Sequence, residues 1–406
     1  MFIYSFIMRE KFMKAVIDIT KQYGANIVAS MPINIVKGEN AYVYDGLGKK
    51  YIDMATGISS VNFGHNNPKI LSALFEQVNK ISVVPRLFHN EPLANLLKKA
   101  CELTNMDKAI VMNSGAEAIE TAIKVARKWG YVKKQIPDGL VEIITFDNSF
   151  HGRTITAIGT SSNYAYKDKF GPMPQGFISI PYNDLDALEK AITKNTAAII
   201  IEPIQGEGGV IIPDEEYLYK CQEICKKNNV LFILDEIQTG MGRTGKNFAK
   251  EHYGLDPDGM TLGKSLGGGV LPISLFLGKE DLMEVLHPGD HGSTFGGNPL
   301  ASAVAYKALN ILDEEALADR AGVLGSLFVD QLKKINSKYI QEIRAKGLFI
   351  ALQIYPQYFE SFYQELLNLG ILAVKTRNNT IRLLPPLTID RETLIETVNI
   401  LKNLKL

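Results

Sequence analysis

The sequence predicts an α/β protein: a mostly parallel central sheet with helices on both faces, joined to a smaller α+β domain. Two observations carry this. Short apolar runs rich in branched residues recur at Lys108–Met112, Glu142–Phe146, Ala197–Ile201, Val230–Leu234 and Pro272–Leu277. Helical patterns stand between them at Ala116–Gly130, Asp184–Lys194 and Asp214–Asn228. The runs are too short for helices and read as strands buried on both sides.

Taken in order, Ala41–Asp53 reads as a hairpin around Asp45-Gly46, a strong turn signal. In Ala116–Gly130 the apolar residues Ala118, Ile119, Ala122, Ile123, Ala126 and Trp129 follow helical spacing. A long helix over Leu300–Leu312 follows Asn298-Pro299, a cap and a first-turn proline. The pattern then changes to shorter α+β units containing Ile343–Gln353 and Ile371–Leu384. At 406 residues the chain exceeds what one core serves. Residues 64–304 are expected to form the large domain, with 1–63 and 305–406 contributing the small one.

Composition narrows the function classes. Hydrophobic content of 46% with 22% charged residues fits a soluble globular protein. Lys+Arg and Asp+Glu are 44 each, which gives no argument for nucleic acid or an anionic membrane as partner. Cys101, Cys221 and Cys225 make no disulfide framework and no zinc set, and read as reduced thiols. No metal site is expected. The apolar start Met1–Met8 lacks a basic flank and a cleavage site, so it does not read as a signal peptide, and Met8 or Met13 are alternative starts. No run reaches membrane-helix length, and the expected location is cytoplasmic.

The chemistry begins at Asp235-Glu236, which end the run Val230–Leu234 where open α/β sheets place ligands. Lys264 follows another strand-like stretch and is flanked by Gly263 and Gly267-Gly268-Gly269, so bulky material can approach it. An acid at a strand end and a lysine in a glycine turn suit a pyridine cofactor carried as a Schiff base. The lysine supplies the nitrogen, and the acid keeps the ring nitrogen protonated so that the ring accepts electrons. Ser114-Gly115-Ala116-Glu117 opens a helix as an S-x-x-E capping box; a phosphate at the same helix start is compatible with that reading.

Six blocks in order carry a resemblance to the class III pyridoxal-phosphate-dependent aminotransferases, from about Tyr23 to the C-terminus. They are Asn113–Ala118, Phe150–Thr154, Glu202–Glu207, Asp235–Gly240, Leu262–Lys264 and Gly292–Pro299. The resemblance implies a fold-type I transferase whose large domain binds pyridoxal phosphate. It implies Lys264 and Asp235 as catalytic residues, with Ser114, Gly115, Ala116, Phe150, Gln238 and Thr294 also holding the cofactor. Thr294 would serve the phosphate of a neighbouring subunit, making a homodimer with shared sites. Arg153 would bind a substrate carboxylate, and Arg382 the α-carboxylate of glutamate or 2-oxoglutarate, with Glu207 masking Arg382 when the donor is a terminal amine.

Within the family, the Gly292–Pro299 block and the Glu207/Arg382 pair look like the ornithine and acetylornithine branch. The implied reaction moves a terminal (δ) amine to 2-oxoglutarate, giving a semialdehyde and glutamate. Two tyrosines that ornithine enzymes place around free ornithine align with Val28 and Ile58 here, which favours N-acetylornithine, because a charged α-amino group would lack partners. Ornithine itself, 4-aminobutyrate and succinyl-diaminopimelate remain alternatives. A remote alternative is a nucleotide-binding protein using Gly240–Gly245, a literal G-x-G-x-x-G that does not directly follow its strand.

Overall fold

The computed structural model describes residues 2–335 and 337–406, with side chains from Met13 onward. Among them the largest sheet has seven strands, in the order Lys108–Met112, Ser274–Gly278, Gly259–Leu262, Leu231–Asp235, Thr196–Ile201, Glu142–Phe146 and Phe177–Ile180. Pairing is parallel except at Ser274–Gly278, which runs antiparallel to both neighbours.

Strand alternation explains why both faces carry helices. Ile143, Ala198, Ile200, Leu231 and Ile233 share one core with Ile119, Ala122, Ile123, Ala126 and Trp129 of helix Gly115–Val132. Their sequence neighbours Ile144, Ile199, Ile201, Phe232 and Leu234 join the other core, with Leu218, Cys221 and Cys225 of helix Tyr217–Lys227. Successive strand residues point to opposite faces, so a strand covered on both must be apolar throughout. Helix Pro299–Glu314, capped by the Asn298 side chain on Ala301 N, packs on helices Glu91–Thr104 and Pro68–Val78.

Two smaller sheets stand beside this one. Ile35–Glu39, Tyr42–Asp45 and Lys50–Asp53 form an antiparallel set, to which Ile371–Leu372 adds in parallel, so residues from both chain ends share one sheet. The turn expected at Asp45-Gly46 is closed by Asp45 Oδ1, which accepts from Leu47 N and Lys49 N, each at 2.9 Å. Ile343–Gln353 is not one run. Gly347, at φ +57°, splits it into the hairpin Ile340–Lys346 and Phe349–Ile354, which continues through Thr380–Leu383 to Val374–Thr376.

Residues Thr56, Gly57, Ile58 and Ser59 all take positive φ, +42°, +55°, +58° and +66°. L-residues resist this conformation by about 1–2 kcal/mol each, so neighbours must hold it. Asp53 Oδ1 accepts from Ala55 N and Thr56 N, and Thr56 Oγ1 donates to Leu384 O at 2.6 Å. Arg243, fully buried, donates from Nε to Ser59 Oγ (3.0 Å) and from Nη2 to Asn62 Oδ1. Its Nη1 reaches Leu348 O (3.0 Å) and Pro385 O (2.6 Å). Burial first, and then the Arg382 charge, pull its pKa down to about 9.

The Gly240–Gly245 loop is what carries Arg243 inward. A Cβ on Gly242 would stand 2.7 Å from a Leu387 methyl and 2.8 Å from one of Leu312, and Gly245 lies against Gly322 and Gly347. Protein fills the space a phosphate would need, which removes the nucleotide-binding alternative.

Candidate active site

The site forms where the parallel strands end. Asp235 closes its strand 4% exposed and accepts three hydrogen bonds: from Thr261 Oγ1 on the adjacent strand (3.1 Å), from Ile237 N (3.1 Å) and from His151 Nδ1 (2.7 Å). The second acid, Glu236, is fully buried and committed elsewhere. It accepts from Ala249 N, Lys250 N and Thr239 Oγ1, each at 2.8 Å, and burial pushes it up to about 7. Of two adjacent acids, one is free to serve a ligand and the other anchors a loop.

Lys264 begins a short 3-10 turn directly after Gly259–Leu262 and Gly263, at φ +45°. A non-glycine residue in this region is uncommon, and such strain gathers at functional sites. Burial and then the Arg382 charge pull its amine down to about 8, against the raising influence of Glu207, Asp235 and Glu202. The shift toward neutral pH raises the minor neutral fraction, the form in which an amine can take up a proton.

Lys264 and Asp235 line one cavity of ≈ 150 Å³ with Gly115, Ala116, Phe150, His151, Gly152, Glu202, Glu207, Ile237 and Gln238. Ser114, which directly precedes Gly115, is exposed and is not part of that lining. Its capping box with Glu117 is complete: Ser114 Oγ accepts from Glu117 N (3.2 Å), and Glu117 Oε2 accepts from Ser114 N (2.7 Å). The N–H groups of Gly115 and Ala116, earlier in the first turn, are not taken by that cap and remain suited to an anion. A Cβ on Gly115 would press on the Ile237 side chain at 3.1 Å, so a larger residue there would need Ile237 to shift.

Arg382 is fully buried and pairs with Glu207 at 2.7 Å. Its Nη1 also donates to Gln238 Oε1 at 3.1 Å, while Nε and Nη2 have no partner among the described residues. Burial would raise Glu207, but Arg382, Lys264 and Gln238 outweigh it and hold the carboxyl below its usual range. Gln238 is held close to the chain: a Cβ on Gly206 would lie 1.6 Å from its Oε1, so Gly206 cannot carry a side chain without displacing it.

His151 and Glu202 are residues for which the sequence suggested no role. Glu202 accepts from Phe150 N (2.8 Å) and Gly206 N (3.1 Å) at the end of Thr196–Ile201. Burial raises it to about 7, with His151 opposing and Asp235 adding to the rise. Burial would lower His151, but its hydrogen bond to Asp235 and that charge raise it instead. The signal that could have found Glu202 was its position: an acid one residue past a buried strand, as Asp235 is at the end of the next.

The remaining expected residues lie outside the cavity lining. Arg153 is exposed, its guanidinium 3.8 Å from the Tyr166 ring and 5.4 Å from Phe150. Thr294 is exposed in the loop before Pro299–Glu314, beside Phe295. Val28 and Ile58 are 68% and 43% exposed and line no part of the cavity.

These residues fit pyridoxal phosphate. The cavity joins an amine, a strand-end carboxylate, an aromatic ring and an open helix start, and buried His151 Nε2 has no partner among the described residues. Comparison with known proteins agrees. The family model for aminotransferase class-III matches residues 10–404. The chain is 48% identical over 381 residues to an ornithine aminotransferase of Bacillus cereus (strain Q1), covering 94% of this chain and 96% of that one. Its structure resembles the ornithine aminotransferase of Toxoplasma gondii ME49, with TM-score 0.94 and 41% identity, covering 96% and 94% of the two chains. It also resembles the acetylornithine aminotransferase of Elizabethkingia anophelis, with TM-score 0.87 and 41% identity, covering 96% and 98%. The chain therefore belongs to the class-III aminotransferases, the pyridoxal-phosphate-dependent fold-type I enzymes.

Proposed function

We propose that this enzyme moves the terminal amine of ornithine to 2-oxoglutarate, giving the semialdehyde and glutamate. One observation carries the reading: Arg382 is buried against Glu207, with two guanidinium nitrogens left unpartnered. A carboxylate can take Arg382 by displacing Glu207, and a terminal amine can enter while Glu207 still neutralises it. One pocket thus accepts both a dicarboxylate and an ω-amine.

Pyridoxal phosphate, when bound, supplies an electron sink. Lys264 would hold it and then move a proton at its amine nitrogen, helped by the lowered affinity described above. Asp235, fixed by His151, Thr261 and Ile237 N, would supply the negative charge facing the ring. Phe150 would cover the ring, and Ser114, Gly115 and Ala116 would receive the phosphate. Gln238 gives its oxygen to Arg382 and an amide N–H to Glu207, and the other amide N–H would donate to the cofactor. Arg153 would bind a substrate carboxylate.

Ornithine is supported by the similarity to the Bacillus and Toxoplasma enzymes. N-acetylornithine is the second reading, supported by the Elizabethkingia resemblance; Val28 and Ile58, which line no part of the cavity, do not bear on it. The expected result is measurable turnover of both with 2-oxoglutarate, with the higher kcat/KM for ornithine. A preference for N-acetylornithine of about tenfold or more, an energy difference of about 1.4 kcal/mol, would install the second reading. No transfer from either donor would overturn both.

We further infer a cytoplasmic homodimer whose sites are completed by Thr294 of the neighbouring subunit. The residues 1–63 and 305–406 form its small domain, and 64–304 its large one. The exposed Thr294, together with Phe295, Leu87 and Phe88 at 55%, 88% and 65% exposure, supports the pairing. No helix among the described residues is long and apolar enough to cross a membrane. Sedimentation at falling concentration should show cofactor loss accompanying dissociation, and a fully loaded, active monomer would contradict the shared site.

A further inference from the structure

Two arginines lie over one ring at the approach to the cavity. The Tyr166 centroid is 3.8 Å from the Arg153 guanidinium and 5.4 Å from that of Arg377. Tyr166 meets Phe150, which lines the cavity, edge to face at 6.2 Å and 86°. Among the described residues neither guanidinium has an acidic partner, although Arg344 and Arg382 do.

Arg377 is tied to the catalytic segment through its backbone. Its N–H donates to Glu207 O at 3.4 Å, in the turn between strands Val374–Thr376 and Thr380–Leu383. Its side chain is only partly engaged: Nη1 donates to Asn148 Oδ1 at 3.2 Å, and Nη2 is buried with no partner among the described residues. The chain thus holds two unneutralised cations beside one ring, one of them with an orphaned donor.

We propose that Arg377 is a specificity-determining residue, which with Arg153 binds the substrate carboxylate remote from the reacting carbon. For an ω-amine donor this is the α-carboxylate, and for a dicarboxylate acceptor it is the distal one. The inference rests on the amino-transfer reading above. A ring against a guanidinium restrains the side chain while leaving its edge N–H groups for a carboxylate. Two cations without acids concentrate anions at the mouth. Tyr166 keeps both arginines in place and is a positioning residue.

The test uses the cofactor-loaded enzyme and three variants: Arg377→Gln, Arg153→Gln and Asn148→Gly. Calorimetry reads the Kd of glutarate, a dicarboxylate that cannot react. Kinetics read the kcat/KM ratio of ornithine to 1,4-diaminobutane, the same amine without a carboxylate. Both Arg variants are expected to weaken glutarate and to lower that ratio by about tenfold or more, the worth of a charge-assisted hydrogen bond. Asn148→Gly removes the brace without the charge, tolerates the φ of +65° found there, and should match wild type.

Wild-type glutarate affinity in Arg377→Gln overturns the proposal. So does an Asn148→Gly enzyme that reproduces the Arg377 loss, since bracing would then be the role. An equal fall with both amines overturns it as well. If the unaltered enzyme transfers no amine at all, the reading of its reaction fails, and glutarate binding still decides the role of Arg377.

Discussion

Asp235→Asn is expected to keep the fold and retain pyridoxal phosphate, yet turn over at least about a hundredfold more slowly in both half-reactions, as for other preorganised electrostatic contributions. The amide is nearly the same shape and can still meet Thr261 and Ile237 N. What it lacks is the charge. Asp235 is 4% exposed and gripped by three donors, which fixes its charge in place. Rapid mixing with donor alone and then with 2-oxoglutarate alone separates the halves. Near-normal rates in both would show that Asp235 is not the residue that sustains the electron sink.

Arg243→Ala is expected to cost the most stability, about 3 kcal/mol or more, because each acceptor left unsatisfied in a buried site carries roughly 1–3 kcal/mol. Arg243 donates to four acceptors, Ser59 Oγ, Asn62 Oδ1, Leu348 O and Pro385 O, of which Asn62 Oδ1 also accepts from Ser59 Oγ. Three chain segments meet there, including the left-handed turn Thr56–Ser59 and the residues that follow Arg382. Arg243→Lys should recover part of the loss, since one ammonium can reach only some of the acceptors. The check is the thermal midpoint by calorimetry, compared with unaltered protein at equal cofactor saturation. A midpoint within one degree of the unaltered protein, to within a typical error, would contradict this account.

Much of this architecture was legible in the sequence, for identifiable reasons. Val230–Leu234 and Ala197–Ile201 stood out because strands covered on both faces are apolar at every position. The helix after Ser114 stood out because its cap and its apolar spacing agree. The direction of Ser274–Gly278 was not legible, since a fully buried strand has the same composition in either direction. Nor was the turn Thr56–Ser59, because threonine and isoleucine disfavour positive φ and only distant partners enforce it.

Several of the candidate site residues that the sequence singled out for their chemistry are ones the fold brings together. Lys264, Asp235, Glu207, Gln238 and Phe150 all converge on one cavity. Glu236 is indistinguishable from Asp235 in a one-dimensional reading, yet it anchors backbone N–H groups thirteen and fourteen residues further on. The glycines of Gly240–Gly245 are visible as a motif, but their purpose, close packing around a buried arginine, depends on Leu312, Gly322 and Leu387. Those partners are distant in sequence, so the pattern resembled a nucleotide loop.

The central claim is that Lys264 holds the cofactor and works on the substrate beside Asp235. Borohydride reduction of the loaded protein, followed by peptide mapping, tests it most directly. The expected result is a yellow protein whose chromophore becomes irreversibly fixed, with the label on Lys264 and absent after Lys264→Ala. A label on another lysine, or a colourless protein that cannot be loaded with pyridoxal phosphate, would contradict the account.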